Sequence, residues 1–186
     1  MLSPSPDFYH VLSWDEYKKV PSISNGRGGS WTATTEFPTT DAWDWPPTGL
    51  VMDLDIDHDR SEVLSAWVQA GHEPDLVLQH EQGHFNIHAL VYREFWDRAP
   101  AMGYTTARAW WFDTLLPRLR ALEGQGGAYE ISTEFGNNST NQALWNSQFD
   151  DLLTRGGGNS EDLNNWVNDT PFTDGDGHQI VVPQVP

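Results

Sequence analysis

The chain has 186 residues and no cysteine, and 27 acidic against 10 basic residues leave a net charge of −17. That balance argues against phosphate backbones and anionic membrane surfaces as partners, because no basic cluster exceeds the Lys18-Lys19 pair. The lack of cysteine removes disulfides, thiolate metal ligands and cysteine nucleophiles together. The length suits one domain, and 10 Trp, 8 Phe and 5 Tyr supply large buried areas to a chain that is only 38% hydrophobic. No apolar run approaches the ~18 residues of a membrane span. The first ten residues, MLSPSPDFYH, lack the basic and apolar regions of a secretion signal. No intact signal is therefore expected, and an extracytoplasmic location would require one that has been removed.

In chain order, Ser13-Trp14-Asp15-Glu16 reads as a capping box opening a short helical turn that halts before Pro21. Residues 22–30 are a Gly/Ser-rich loop, and Trp31 to Phe37 reads as a strand rich in Thr and aromatics. Residues 38–49 mix prolines and tryptophans in an ordered loop. Leu50 to Asp57 alternates, with Leu50, Met52, Leu54 and Ile56 on one face of a half-buried strand and aspartates on the other. The acidic run beginning at Asp53 fails as an EF-hand loop: its sixth and twelfth positions are His58 and Leu64, where Gly and Glu are needed. Asp59 to Ala70 is a short helix or turn region, ended by Gly71.

Pro74 and Asp75 open the next helix, predicted to run to about Arg98 and to be buried on most of its surface. A further helix spans Thr105 to Leu122 and is kinked at Pro117. Residues 128–135, AYEISTEF, alternate like a strand, and Ser139 to Arg155 forms a helix closed by Gly156-Gly157-Gly158. The pattern predicts an α+β domain, with a small sheet packed against the buried helix and further helices. Residues 1–158 form the domain proper, and 159–186 form a polar tail or terminal hairpin packed on it.

The Pro74–Arg98 helix carries His80-Glu81-Gln82-Gly83-His84, an H-E-x-x-H pattern. Residues i and i+4 share a helix face, so His80 and His84 can present two imidazoles to one metal ion. Glu81 lies on the adjoining edge, where it can take a proton from a metal-bound water. That is the chemistry of a hydrolytic zinc enzyme. His88 continues the stripe, but His80 and His88 are about 12 Å apart along a straight helix, too far to share a metal. It reads as support to the site or polar packing. Gly83 costs about 1 kcal/mol relative to Ala, and a small residue there lets another segment approach closely. His10, His58, His72 and His178 have no partner pattern and read as surface residues.

Several blocks, in order, resemble a family of predicted bacterial zinc-dependent proteases. They are Leu12-Ser13-Trp14-Asp15-Glu16-Tyr17 with Pro21, then Trp31-Thr32-Ala33-Thr34, then Leu78 to Ile87. The last is Tyr129 to Gly136, followed by Gln142-Ala143-Leu144-Trp145. The resemblance spans roughly residues 12–153. Two positions depart from the family pattern: Asn86 stands where relatives have Asp, and Phe135 where they have His. The resemblance implies a zinc metallopeptidase acting on a peptide or protein substrate, with a third zinc ligand in the block near Tyr129. With Phe135 unable to coordinate, the carboxylates available are Glu130 and Glu134. Glu130, at the family's Asp position, is the expected ligand beside His80 and His84. Tyr129 could polarise a substrate carbonyl or stabilise an oxyanion, or be a buried core tyrosine. The alternative function is a catalytically degenerate metal-binding or protein-interaction module of the same fold. An intact Glu81 favours the enzyme, and the change at Phe135 favours the module.

Overall fold

Asp75 caps a 27-residue helix, Leu76–Met102 (α2), its side chain accepting from the Leu78 amide at 3.1 Å. The helix runs one turn beyond the predicted end and stops at Gly103, where φ is 76°. Every residue from Gly83 to Tyr92 is buried. A helix buried over such a run must be enclosed on all sides, and the rest of the chain is built around it. The computed structural model describes residues 8–23, 32–38, 43–46, 49–155 and 157–185.

Helices Tyr104–Trp110 (α3), Leu116–Glu123 (α4), Ser139–Phe149 (α6) and Ser160–Asp169 (α7) pack against α2. Between α3 and α4 the chain makes a π-helical turn at Trp111–Leu115, so the single Pro117-kinked helix expected here is two helices joined by a wider turn. Pro117 sits in the first turn of α4, where its missing N–H removes little. Phe95, Trp111, Leu115, Trp145, Phe149, Leu163 and Val167 form the main core against Leu90 and Val91 of α2.

Around the N-terminal half of α2 the chain forms a three-stranded sheet in the order β1 (Lys18–Val20), β5 (Glu62–Leu64), β2 (Ala33–Thr34). β1 pairs with β5 in parallel, Lys19 opposite Val63, and β2 pairs with β5 antiparallel, Ala33 opposite Val63. A second core of Leu12, Tyr17, Ala33, Ile56, Val63 and Phe85 lies between this sheet and the helix. A separate ribbon pairs β3 (Trp43–Asp44) with β4 (Val51–Met52), and Ser65–Ala70 (α1) follows β5 directly. The molecule is thus an α+β fold, with small sheets packed with several helices.

Ser13 opens a 3-10 turn at Trp14–Glu16 with a capping box to Glu16. The strand expected over Trp31–Phe37 is confined to Ala33–Thr34, and Trp31 and residues 24–30 of the predicted loop lie outside the described residues. The strand expected over Leu50–Asp57 has only two paired residues. Its alternation survives in burial, with Met52 and Ile56 inside and Asp53 and Asp55 outside.

One expectation is reversed. Residues 128–133 are helical (α5, Ala128–Thr133), where an alternating strand was predicted. The buried residues Ala128, Tyr129, Ser132 and Thr133 follow i, i+1, i+4, i+5, which is one helix face. Its polar members are buried with partners: Trp145 donates to Ser132, and the Thr133 hydroxyl donates to the Tyr129 carbonyl. The alternation misled because it put Ser132 on the outward face with Glu130 and Glu134, whereas Ser132 and Thr133 are both buried.

The C-terminal segment contains a helix where a polar tail was expected. Asn159 caps α7 reciprocally with Asp162, and Leu163, Val167, Phe172 and Val185 enter the main core. The buried Glu94 carboxylate joins three helices, pairing with Arg118 at 3.1 Å and Arg98 at 2.7 Å and accepting from the Ser160 hydroxyl. Beyond α7, Thr173 and Gln179 form an antiparallel bridge closed by a turn at Asp174. None of the described helices is long and apolar enough to cross a membrane.

Candidate metal centre

His80 and His84 are buried on α2 with ring centroids 5.0 Å apart and planes at 86°. The helix α5 places Glu130 opposite them. Its Oε2 lies 3.4 Å from His80 Nε2 and its Oε1 lies 3.4 Å from His84 Nε2. One potential ligand atom from each of the three residues falls within 4.8 Å of the others. Two donors bound tetrahedrally at 2.0–2.1 Å from one ion are about 3.3 Å apart, so the spacing fits a metal at the common focus.

The tautomers point the same way. His84 Nδ1 is 3.2 Å from Glu123 Oε2, and an ionised carboxylate only accepts, so this nitrogen carries the hydrogen. His80 Nδ1 is 3.4 Å from both the Gln142 amide oxygen and the Thr133 hydroxyl oxygen. The Thr133 proton is directed at the Tyr129 carbonyl, so His80 Nδ1 is also a donor. Both Nε2 lone pairs then face the Glu130 carboxylate, whose Oε2 is buried without a hydrogen-bond partner among the described residues. Acceptors facing one another require a cation between them. In the absence of metal a proton takes that place: burial opposes charge on His84, but Glu123 and Glu130 outweigh it and hold its pKa well above the ordinary value. Burial likewise acts to raise the Glu130 pKa, and the adjacent His80 and His84 overcome it, lowering it to about 2. His80, His84 and Glu130 could therefore hold a metal ion.

Helical geometry also separates the two candidate carboxylates. On a strand, Glu130 and Glu134 would share a face. On α5, Glu130 turns toward the histidines, and Glu134 is the left-handed C-cap with φ of 51°. Phe135 follows, also at positive φ and 49% exposed. Gly136 then passes so close under His80 that a Cβ there would lie 3.1 Å from the imidazole Cγ.

Glu81 is buried next to the histidines, and its Oε2 accepts from the Thr35 hydroxyl at 2.5 Å. With its own proton given to Glu81, Thr35 accepts from the Tyr17 hydroxyl at 2.6 Å. Burial and the Glu81 charge push the Tyr17 pKa up, so it remains a donor. Tyr129 is fully buried. Its ring stacks on His80 at 4.8 Å, and its hydroxyl donates to the His80 carbonyl at 2.9 Å. Asn86 is buried and accepts from Gln82. His88 stands outside the three-residue group, with Nε2 3.3 Å from Glu123 Oε1. His10, His58 and His178 are exposed, and His72 is half-buried, stacked on Trp67.

Glu123, Thr35 and Thr133 were not singled out in the sequence. Glu123 alone left a signal: it is an acidic residue at the last position of α4, the end of a helix where the macrodipole favours cations. The blocks that carry the family resemblance converge here. The Leu12 amide donates to Gln82, Trp14 Nε1 donates to Asp75, Tyr17 reaches Glu81 through Thr35, and Tyr129 and Gln142 brace His80. No protein-family model, curated protein or solved structure matches the chain, so the resemblance rests on these blocks alone.

Proposed function

We propose that this protein is a zinc-dependent peptidase of the kind its motif blocks resemble, with His80, His84 and Glu130 as ligands and Glu81 as general base. The observation that carries the reading is the meeting of two Nε2 atoms with Glu130 oxygens at 3.4 Å beside a buried Glu81. Two histidines and a glutamate are a donor set used in catalytic zinc sites, where a fourth position stays open for water. When bound, zinc supplies Lewis-acid polarisation of a carbonyl and lowers the pKa of water. Glu81 takes the proton from the attacking water and returns it to the leaving amine. Thr35, anchored by Tyr17, occupies one oxygen of Glu81 and aims the other. Tyr129, for which the sequence offered either a catalytic role on a carbonyl or oxyanion or a place in the core, is in this reading a positioning residue that holds His80 by stacking and through its backbone carbonyl.

A metal-binding module without catalysis is the second reading, and the exposed Phe135 in place of a family histidine favours it. Glu81 separates the two, because a purely structural metal needs no general base. The test is metal analysis of protein purified without chelators, followed by a peptide-library assay of parent and Glu81→Gln. The peptidase reading expects about one zinc per chain in both proteins and a loss of ~10²-fold or more in turnover for the variant. Less than about a tenth of an equivalent of zinc, with none taken up on addition, would overturn the metal site. Zinc at full occupancy with no turnover by the parent would favour the module.

A further inference from the structure

We propose that Glu123 is a positioning residue for the metal site, fixing the tautomer and direction of His84, with His88 holding it in place. The inference rests on the metal-site reading of His80, His84 and Glu130. Each Glu123 oxygen serves one imidazole: Oε2 is 3.2 Å from His84 Nδ1 and Oε1 is 3.3 Å from His88 Nε2. A carboxylate accepting from Nδ1–H leaves the His84 lone pair on Nε2, the atom that faces Glu130. A metal needs that neutral, correctly turned nitrogen.

The anchor behind Glu123 is itself constrained. The His88 ring lies flat on Phe37, with centroids 3.5 Å apart and planes at 13°, so its Nε2–H has a set direction. Residue 88 is one helical turn beyond His84, which explains the His80-His84-His88 stripe without a third imidazole ligand: two residues face the focus, and the third aims the carboxylate that aims the second. The chain places this carboxylate at the C-terminus of α4, against the helix dipole, where a negative charge is disfavoured. A residue serving only the fold would gain from the opposite charge there. Among the described residues His80 Nδ1 meets no carboxylate, only the uncharged Gln142 and Thr133 at the longer distance of 3.4 Å. The two ligands are thus held unequally, and His84 is the one whose Nδ1–H is directed by a carboxylate.

The experiment compares the full-length parent with Glu123→Ala, Glu123→Asp and Glu123→Gln. It measures zinc affinity by chelator competition, the visible spectrum of the cobalt(II)-loaded protein, and the melting temperature of the metal-free form. Alanine, and aspartate with its carboxylate drawn back by one methylene, are expected to weaken zinc binding about 10- to 100-fold and to change the cobalt spectrum. Glutamine keeps an oxygen at the same reach and is expected to recover at least half of that loss on a logarithmic scale. A merely structural role would lower the melting temperature and leave the cobalt spectrum unchanged, which would overturn the proposal. Parent-like zinc affinity in the alanine variant would also overturn it, and the aspartate variant decides the same point if alanine does not fold. Equal loss in glutamine and alanine would assign the effect to charge and overturn positioning. A parent that binds neither metal would remove the metal site itself, a failure distinguishable from all of these.

Discussion

The Tyr129 side chain fills the space that a side chain on residue 83 would need. A Cβ on Gly83 would come within 3.0 Å of the Tyr129 Oη, Cζ and Cε1 atoms. Glycine in mid-helix between the two histidines is therefore what allows α5, and Glu130 with it, to approach α2.

Gly83→Ala follows directly as a test. Helix propensity alone favours alanine by about 1 kcal/mol, whereas overpacking a buried ring typically costs about 1–3 kcal/mol. The collision is with a side chain that also stacks on His80 and bonds its carbonyl, so little relaxation is available. The variant is expected to be less stable by thermal unfolding and to bind zinc more weakly than the parent. Greater stability with unchanged zinc affinity would show that α5 is free to move away.

Glu130 and Glu134 are four residues apart and should behave oppositely. Glu130→Ala removes one of the three proposed ligands and leaves two imidazoles, so zinc affinity should fall by more than the 10- to 100-fold typical of a residue behind a ligand. Glu134→Ala should bind as the parent does. Titration against a chromophoric chelator, with circular dichroism to confirm folding, compares them. Equal affinities in the two variants would remove Glu130 from the ligand set.

Metal binding should release a proton. His84 is held well above its ordinary pKa when no metal is present, which favours the protonated ring, and a metal binds only the neutral one. Calorimetric titration with zinc in buffers of different ionisation enthalpy should show that release, and affinity should fall as pH is lowered. For the metal-free fold the signs oppose. The raised His84 pKa contributes stability that is fully present below the unfolded-state value of 6.5 and lost as pH rises through the folded one. The lowered Glu130 pKa contributes stability present above 4.5 and lost as pH falls toward about 2. Metal-free Glu130→Gln should accordingly show a flatter acid limb in thermal unfolding, and an unchanged limb would contradict the pairing.

Glu94 provides a contrast between fold and site. It is buried on α2 with Arg118, Arg98 and Ser160, and removing one partner of a buried pair typically costs about 3–5 kcal/mol. Glu94→Gln should lower the melting temperature markedly and keep one equivalent of zinc. Loss of zinc from a folded variant would mean that the helical core also sets the metal geometry.

The sequence by itself determined the central helix, its Asp75 start, the shared face of His80 and His84, and Glu81 beside them. These follow from a 3.6-residue period, a Pro-Asp helix opening and a spacing of four, all local properties of the chain. It also determined that a metal here has oxygen and nitrogen donors, because there is no cysteine. Tertiary structure decided the third partner. The AYEISTEF segment alternates as a strand would, and only the burial of Ser132 and Thr133 against Trp145 and α2 turned it into a helix that sets Glu130 toward the histidines and leaves Glu134 as its cap. Thr35 left no signal and Glu123 only its place at a helix end, and they lie 46 and 39 residues from the motif side chains they bond. Contacts across such separations depend on how α4 and β2 pack around α2, and packing of that kind leaves no periodicity in the chain to read.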